Sequence, residues 1–296
     1  DLRMSRGLGD VYKRQMLDRS EVGKRGYLLE EYRLFHLRDS RAEKLDYHYH
    51  EFDKVVLQLG GRVTYHVEGK SYLLQPMDLL LVSRNLLHLP EIDPAQPYER
   101  MVLWIDRGFL ARHSGADWDL AACFDESARR GFHLYRPRGE ERNLYRGLFD
   151  RLETACADRG FAGRLLADTC ALQLLIQLDR DVLAAPPQAE DVSYRFDPKM
   201  EEVTGYIRDH LAEELTIDRL AGAFFLSRYY LMHRFKEVYG CSVHQYIRQK
   251  RLQQAAEAIR AGEPVLQAAQ EAGFGDYSAF LRAFRAAYGR SPREWK

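Results

Sequence analysis

The chain has 296 residues, is 46% hydrophobic, and carries 44 Lys and Arg against 44 Asp and Glu. This length favours two domains over one, and the hydrophobic content excludes a chain too polar to form a core. We find no apolar run near the roughly 18 residues of a membrane span and no signal peptide, and the four cysteines form no CxxC pair, so we expect a cytoplasmic protein.

The charge is unevenly distributed along the chain. Residues 219–296 contain 13 Lys and Arg against 6 Asp and Glu, which leaves 31 against 38 for the rest. A basic last quarter on an acidic body suggests a polyanionic partner for that quarter. A solvated helical surface has the same composition, so charge alone does not decide between the two interpretations.

The first fifteen residues, DLRMSRGLGDVYKRQ, show neither strand nor helix periodicity and precede a potential start at Met16. We predict that residues 1–15 are a non-native or disordered leader. The alternative is an ordinary flexible N-terminus. Under either interpretation this segment has no part in the predicted function.

A strand pattern runs from about residue 27 to residue 104. VTYHV at 63–67 alternates with period two, and the tripeptide EGK that starts at Glu68 supplies a hairpin turn into SYLL. DLLLVS at 78–83 and RMVLWI at 100–105 are short apolar strands. Many short strands joined by brief turns predict a barrel or a sandwich.

Helices are predicted from about Glu140 onwards, in two segments separated around Gly160. Leucine and cysteine recur at near-helical spacing through both segments. This helical pair either covers the barrel or forms a contact in a dimer. The stretch AAPPQAEDVSYRFD at 184–197, with two adjacent prolines and few aliphatic residues, predicts the linker between two domains.

Residues 198–296 predict an all-helical domain that contains two similar units. Each unit is a short helix, a tight turn and a second helix that begins after a capping residue, Ser227 or Asp276. This is the helix-turn-helix plan, in which the second helix enters the major groove. A generic helical hairpin is the commoner explanation of one such unit, but two matched copies and a basic composition favour DNA binding.

The separation of the two units also fits DNA. A predicted helix from Ser242 to Ala261 joins them, and about 20 residues of helix span roughly 30 Å. Two recognition helices on one face of DNA lie about 34 Å apart. We therefore predict that one protomer places both units in successive segments of the major groove.

The side chains that face away from the predicted helical core are the candidates for DNA contact. Arginine pairs bidentately with guanine, and His, Ser and Tyr can bond to bases or phosphates. Basic residues near the start of the connecting helix are candidates for phosphate contact. The predicted DNA-binding residues are Arg228, Tyr229, His233, Lys236, Arg248, Arg251, Tyr277, Ser278, Arg282 and Arg285.

The segments ELTIDRLAGAFFLSRYYLMHRFKEVYGCSVHQYI and AAQEAGFGDYSAFLRAFRAAYGRSPREW resemble the signature of the DNA-binding domain of AraC/XylS-type transcription regulators. The resemblance covers about the last third of the chain. It implies promoter binding in the bacterial cytoplasm, with recognition helices at 228–239 and 277–288. Two departures predict unequal units: His233 stands where Arg or Lys is usual, and Ala268 and Ala272 stand where larger aliphatic residues are usual, which predicts a thinner second core.

The segment HYHEFDKVVLQLGGRVTYHVEGKSYLLQPMDLLLVSRNLLH at 48–88 is similar to the cupin-type sensor domains of this family. An enzymatic cupin would present His-x-His, a carboxylate three or four residues later, and a distant His. His48, His50 and His88 fit this pattern, but Lys54 or Val55 takes the carboxylate position, and a lysine would repel a metal ion. We therefore predict effector contacts for His48, His50, Lys54 and His88, and neither a bound metal nor a cofactor.

Together these features predict an α+β multidomain protein, with an N-terminal cupin-like β-barrel followed by helices and a C-terminal all-α domain with two helix-turn-helix units. The domains are 16–183 for effector binding and dimerisation, the linker 184–197, and 198–296 for DNA binding.

The predicted function is a sequence-specific transcription regulator controlled by a small-molecule effector. The expected partners are double-stranded promoter DNA, the effector (a sugar being one candidate), RNA polymerase and a second copy of the chain, without a membrane. The rival functions are a metal-dependent cupin enzyme with a DNA-binding appendage, and architectural DNA binding without a ligand.

Overall fold

A computed structural model describes residues 23–24, 28–39, 46–184 and 194–295. The described residues divide into two compact units, with 28–39, 49–184 and 194–195 in the first and 23–24, 46–48 and 196–295 in the second. The predicted leader at 1–15 and most of the predicted linker lie outside the described residues.

The first unit is built mainly from short strands. The strands of the chain are β1 (Gly23–Lys24), β2 (Tyr32–Asp39), β3 (His48–Tyr49), β4 (Asp53–Gly60), β5 (Val63–Val67), β6 (Lys70–Leu73), β7 (Leu79–Val82), β8 (His88–Ile92), β9 (Tyr98–Ile105), β10 (Leu134–Tyr135) and β11 (Tyr194–Arg195). One sheet has the order β10-β7-β4-β9-β2, and the other includes β3-β8-β5-β6-β11. Neighbouring strands pair antiparallel throughout the first sheet and from β8 to β11 in the second.

The predicted hairpin turn between β5 and β6 is present. Val67 pairs with Lys70, so only Glu68 and Gly69 lie in the loop. Both have positive φ, 45° and 80° respectively, as a two-residue type I′ turn requires. This local turn sets the register of β5 against β6 and so determines which of their side chains face inward.

Strand β4 is buried on both faces, because each face contacts a different core. Val55 and Leu57 belong to a core that also contains buried residues of the following helices. Val56 points the other way, into the core between the two sheets. Side chains alternate along a strand, so Lys54 has the same orientation as Val56 and faces the space between the sheets.

The described part of this unit also contains four helices: α1 (Arg107–His113), α2 (Ala122–Arg130), α3 (Glu141–Ala157) and α4 (Gly163–Ala184). The sequence analysis placed the first helix at about Glu140 and missed α1 and α2, because elements of seven and nine residues are too short for a clear period. Buried Tyr145 and Phe149 of α3 and Leu174 of α4 share a core with the first sheet. The helical pair therefore covers that sheet, which was one of its two predicted roles.

The second unit is helical, as predicted, with α5 (Pro198–Asp209), α6 (Ile217–Ala223), α7 (Arg228–Tyr239), α8 (Val243–Arg260), α9 (Val265–Glu271), α10 (Tyr277–Tyr288) and a 3-10 turn at Pro292–Glu294. The predicted capping residues Ser227 and Asp276 each accept a hydrogen bond from the first turn of their helix. Asp197, Thr216 and Ser242 cap the helices that follow them in the same way. Within the described ranges, no helix is both long and apolar enough to cross a membrane.

The two helix-turn-helix units do not match at a single offset. The left-handed turn residue is Phe225 in the first unit (φ 54°) and Gly273 in the second (φ 86°), a separation of 48 residues. The caps that follow, Ser227 and Asp276, lie 49 residues apart. The second turn therefore contains one additional residue, Gly275, and only the second helices follow the 49-residue repeat.

The prediction of a thin core in the second unit is wrong. Ala268 and Ala272 are buried, as expected of core positions. Large rings fill the space beside them, with centroid distances of 4.5 to 5.5 Å in a cluster made by Phe280, Phe284, Tyr288 and Trp295. Small residues on α9 and large residues on α10 are therefore complementary in volume.

Replacing Phe225 with Gly is expected to stabilise the helical unit by about 1 kcal/mol, because the left-handed region is costly for residues with a β-carbon. Phe225 has φ 54° and a side chain that is 95% exposed, so little packing is lost. The measurement is the thermal midpoint of the full chain by scanning calorimetry. Phe225→Ala is the control, because it removes the ring and keeps the β-carbon; equal midpoints for the two variants would contradict the expectation.

Candidate DNA interface and effector site

The first candidate recognition helix, α7, has one buried and one exposed face. Leu231, Phe235 and Tyr239 are buried in the unit. The predicted DNA-binding residues of this helix, Arg228, Tyr229, His233 and Lys236, are all exposed. The rings of Tyr229 and His233 are nearly parallel, with centroids 5.8 Å apart. The helix therefore presents a polar face with stacked rings to the solvent, as its sequence period predicts.

The second candidate helix, α10, repeats this arrangement with one difference. Phe280 anchors it in the aromatic core, and Ser278, Arg282 and Arg285 are exposed. Tyr277, however, is half-buried, with its ring 6.0 Å from that of Phe280. The predicted contact residues of α10 thus share one face, but Tyr277 exposes only part of its side chain.

Helix α8 belongs to the cores of both helix-turn-helix units. Near its start, the ring of Tyr246 lies 5.4 Å from that of Phe235 in α7. Near its end, Ala255 and Ile259 lie in the same core as Phe280 of α10. The helix has 18 residues, which corresponds to about 27 Å, slightly less than predicted. Since one straight element is packed into both cores, it sets the distance between α7 and α10.

The two basic residues predicted to contact phosphate from α8 have different surroundings. Arg248 is exposed. Arg251 donates from Nε to the carbonyl oxygen of Leu211, at 2.9 Å, and from its terminal nitrogen to that of Glu213, at 2.6 Å; burial lowers its pKa. Arg251 therefore joins α8 to the loop after α5, and a phosphate contact for it stays a prediction.

In the first unit, the structure brings together three of the four predicted effector residues. His50, Lys54 and His88 are buried. Lys54 Nζ lies 2.7 Å from His88 Nε2, and the rings of His50 and His88 have centroids 4.7 Å apart. His48 is also buried but belongs to the other compact unit. The strands β4 and β8 thus bring together residues that are 34 positions apart in the chain.

Backbone carbonyl groups determine the tautomer of these histidines. His88 Nδ1 lies 2.9 Å from the carbonyl oxygen of Leu86, and His50 Nδ1 lies 2.7 Å from that of Phe52. A carbonyl oxygen only accepts, so Nδ1 carries the hydrogen in both rings, and Nε2 of the neutral ring is an acceptor. Lys54 therefore donates to His88 Nε2.

Burial lowers the pKa of the Lys54 amine to about 7, and the positive charge of Arg100 acts in the same direction. The amine lies 2.7 Å from His88 Nε2, a ring nitrogen that in the neutral form could otherwise ligate a metal ion. Among the residues that the structure describes, no group of three or more His, Cys, Asp and Glu is placed to hold a metal ion. The incompatibility of Lys54 with a metal ion at this place stays a prediction.

Sequence reasoning missed two further residues of this site, Tyr65 and Trp104. The Tyr65 hydroxyl lies 3.5 Å from Lys54 Nζ, and the burial alternation of β5 places it inward. Trp104 is the cross-strand partner of Lys54 in the register of β4 and β9. The period of VTYHV was a usable signal for Tyr65, whereas Trp104 is linked to Lys54 only by strand pairing.

Lys54→Met is expected to raise stability most at pH 6.5 and progressively less towards pH 10. The folded amine has a pKa of about 7 against an ordinary 10.5, so between these values the unfolded chain binds a proton that the folded chain does not. Stability of the wild type therefore rises with pH across this window, and the variant lacks that rise. The measurement is the difference in thermal midpoint at each pH. The control Lys199→Met, at a partly exposed position of the other unit, should show no such trend, and a pH-independent difference for Lys54→Met would contradict the prediction.

Comparison with known proteins identifies the family. Profiles described as an AraC-like ligand binding domain and as a helix-turn-helix domain match residues 34–175 and 220–296. The probable transcriptional regulator LumQ of Photobacterium leiognathi is 26% identical over 267 residues, which cover 86% of this chain and 95% of that protein. The regulatory protein SoxS of Escherichia coli (strain K12) is 31% identical over 98 residues, which cover 33% of this chain and 92% of that protein. The chain belongs to the AraC family of transcription regulators, with a ligand-binding domain and a helix-turn-helix DNA-binding domain.

Proposed function

We propose that one protomer reads promoter DNA with α7 and α10 in successive segments of the major groove. The observation that carries this proposal is that α8 is packed into the cores of both units. Its length of about 27 Å is of the order of the roughly 34 Å between such segments. Because the exposed faces of α7 and α10 contain Arg228, Lys236, Arg282 and Arg285, both helices offer donors for bases and phosphates.

The two helices contribute unequally in this proposal. His233 occupies the position in α7 that Arg282 occupies in α10, 49 residues further on. Arginine is always charged and offers a planar fork of donors, whereas neutral histidine offers one donor and one acceptor. The stacking of His233 on Tyr229 also restricts its ring. The contact at His233 therefore differs from that of Arg282 in both charge and geometry.

The double variant Arg282→Ala and Arg285→Ala is expected to weaken specific DNA binding by at least about tenfold, because a good arginine contact contributes about 1–3 kcal/mol. The salt dependence of affinity should become shallower as well, since fewer phosphate counterions are released. The measurement is a titration of a site selected from random DNA by the wild-type protein, at several salt concentrations.

The control carries the same change in charge at exposed arginines of the ligand-binding unit, Arg151→Ala and Arg159→Ala. It should bind the selected site as the wild type does. If the double variant in α10 retained both affinity and salt dependence, α10 would not be a recognition helix. Loss of binding in both double variants would show a general effect of net charge instead.

We infer that the small-molecule effector binds in the ligand-binding unit, at the cluster of His50, Lys54 and His88 between the two sheets. The pairing of Lys54 with His88, at 2.7 Å, supports a sensor over a metal-dependent enzyme. Binding there shifts DNA affinity through a coupling of about 1–3 kcal/mol. The regulator acts on DNA in the cytoplasm, where a promoter-bound protomer is within reach of RNA polymerase.

We propose in addition that α4 forms a contact with a second copy of the chain. Leu166, Ile176 and Leu183 are 49%, 41% and 46% exposed, although they lie on a helix whose other face is core. With Thr169, Gln173 and Arg180 between them, they recur at alternating three- and four-residue steps. This is the spacing of a helix–helix seam, and a two-fold pair of identical seams buries the same residues on both partners.

Ile176→Glu is expected to convert the dimer to a monomer, because two like charges would meet near the middle of this seam. The measurement is the molar mass of the full chain by sedimentation equilibrium. Leu266→Glu introduces the same charge at another exposed apolar position, on α9, and should leave the mass unchanged. An unaltered dimer in the Ile176 variant would place the contact on another surface.

A further inference from the structure

The interior of the ligand-binding unit brings two hydrogen-bond donors to one place. Lys54 on β4 lies directly opposite Trp104 on β9, and Val82 is its partner on the other side. Residues in this relation have β-carbons about 5 Å apart and share a face of the sheet. Trp104 belongs to the core between the two sheets, so both side chains face the second sheet, on which Tyr65 and His88 lie.

These donors have few acceptors in the described parts of the chain. Lys54 forms no ion pair with a carboxylate there; its polar partners are His88 Nε2 and the distant hydroxyl of Tyr65. Trp104 is 9% exposed, and no described group accepts a hydrogen bond from its Nε1. A buried donor without an acceptor, and a buried amine without a counter-charge, are both costly. A ligand that brings a negatively charged hydrogen-bond acceptor to this place would therefore satisfy both groups.

The surroundings of the two donors are apolar and aromatic. The ring of Phe52 stacks on Trp104 with centroids 4.4 Å apart, and the ring of Phe35 meets it edge-on at 4.7 Å. Val56 and Val82 complete the buried wall on this face. Such walls favour an apolar body on the ligand, and the stacked rings hold the indole of Trp104 in a defined orientation.

The charged groups around Lys54 limit the charge of the ligand. Arg100 lies near enough to affect Lys54, but it is paired with Asp39 at 2.5 Å. His50 and His88 donate to carbonyl groups through Nδ1, and His88 accepts from Lys54 through Nε2, so His88 adds no positive charge in this arrangement. One ammonium is therefore available for one negative charge. A phosphate monoester has more charge than this site can balance, and a sugar supplies hydroxyl acceptors but no negative charge.

We propose that the effector of this regulator is a small carboxylic acid with an apolar body, bound as its carboxylate by Lys54 and Trp104. This rests on the proposed function only in that it places the effector in the barrel. One carboxylate oxygen accepts a hydrogen bond from Lys54 Nζ, and the other accepts one from Trp104 Nε1. The apolar part of the ligand lies against Phe52 and Phe35. The carboxylate supplies the counter-charge that no described side chain provides.

The test compares carboxylates with uncharged amides of nearly the same shape. Benzoate and hexanoate are titrated into the full chain by calorimetry, against benzamide and hexanamide. The carboxylates are expected to bind at least tenfold more tightly than their amides. Binding at pH 8 should also take up a proton, because the bound anion favours the charged form of Lys54, whose pKa burial lowers to about 7. Titration in buffers of different ionisation enthalpy measures this uptake.

Variants assign the effect to the two donors. Lys54→Met keeps most of the length of the side chain but removes the amine, and it is expected to lower carboxylate affinity at least tenfold and to abolish the proton uptake. Trp104→Phe keeps an aromatic ring but removes the N–H together with the five-membered ring of the indole, and it should weaken binding without changing the proton uptake. Lys199→Met makes the same Lys-to-Met substitution at a partly exposed position of the other unit and should have no effect on carboxylate binding.

The proposal is overturned if neither carboxylate binds more tightly than its amide, or if Lys54→Met binds the carboxylates as the wild type does. A second measurement, binding of the wild-type protein to the selected DNA site without carboxylate, distinguishes failure of this proposal from failure of the proposed DNA-binding function. A protein that binds DNA but does not distinguish carboxylate from amide is a regulator with another class of effector. A wild-type protein that does not bind DNA fails as the proposed reader, whatever its carboxylate affinity.

Discussion

The DNA-binding unit depends on one constraint, which is that a single helix belongs to two hydrophobic cores. Tyr246 packs against Phe235 near one end of α8, and Ile259 shares the aromatic core of Phe280 near the other. A helix is stiff over this length, so the two cores cannot move independently without breaking one of them. The distance between α7 and α10 is thereby a property of α8, and a shift of either of these two helices costs packing free energy in its own core.

In the ligand-binding unit the corresponding constraint is a charge in an apolar interior. Strand β4 is buried on both faces, with Val55 facing the helices and Val56 facing the second sheet. Lys54 continues this alternation and must therefore place its amine between the sheets. The amine has His88 as a partner at 2.7 Å, but the burial still lowers its pKa to about 7. The amine therefore lacks a counter-charge among the described side chains, and any group that supplied a negative charge there would raise its pKa.

The duplicated units show how similar local sequences produce different surfaces. The first turn places Phe225 in a left-handed conformation with its ring exposed, and the second places Gly273 there. The second turn is one residue longer, so the first helices and the second helices of the units follow different offsets. Sequence comparison aligned the second helices correctly because their caps and apolar positions are periodic. The comparison did not detect the additional residue of the second turn, Gly275, because a short glycine-rich turn has no periodic pattern to align.

The amino-acid sequence by itself determined the local structure of this protein: the capped helices of the last hundred residues, the hairpin after Val67, the exposed faces of α7 and α10, and the family. These follow from interactions within a few residues, such as a cap bonding to the first turn of its helix or an alternation along one strand. Only the tertiary structure decided the rest. Strand register places Lys54 opposite Trp104. Arg251 donates to backbone carbonyl groups about 40 residues away in the chain, and aromatic rings pack in the same core as Ala268. The physical reason is that these contacts depend on long-range pairing and on complementary volumes, which no local pattern specifies.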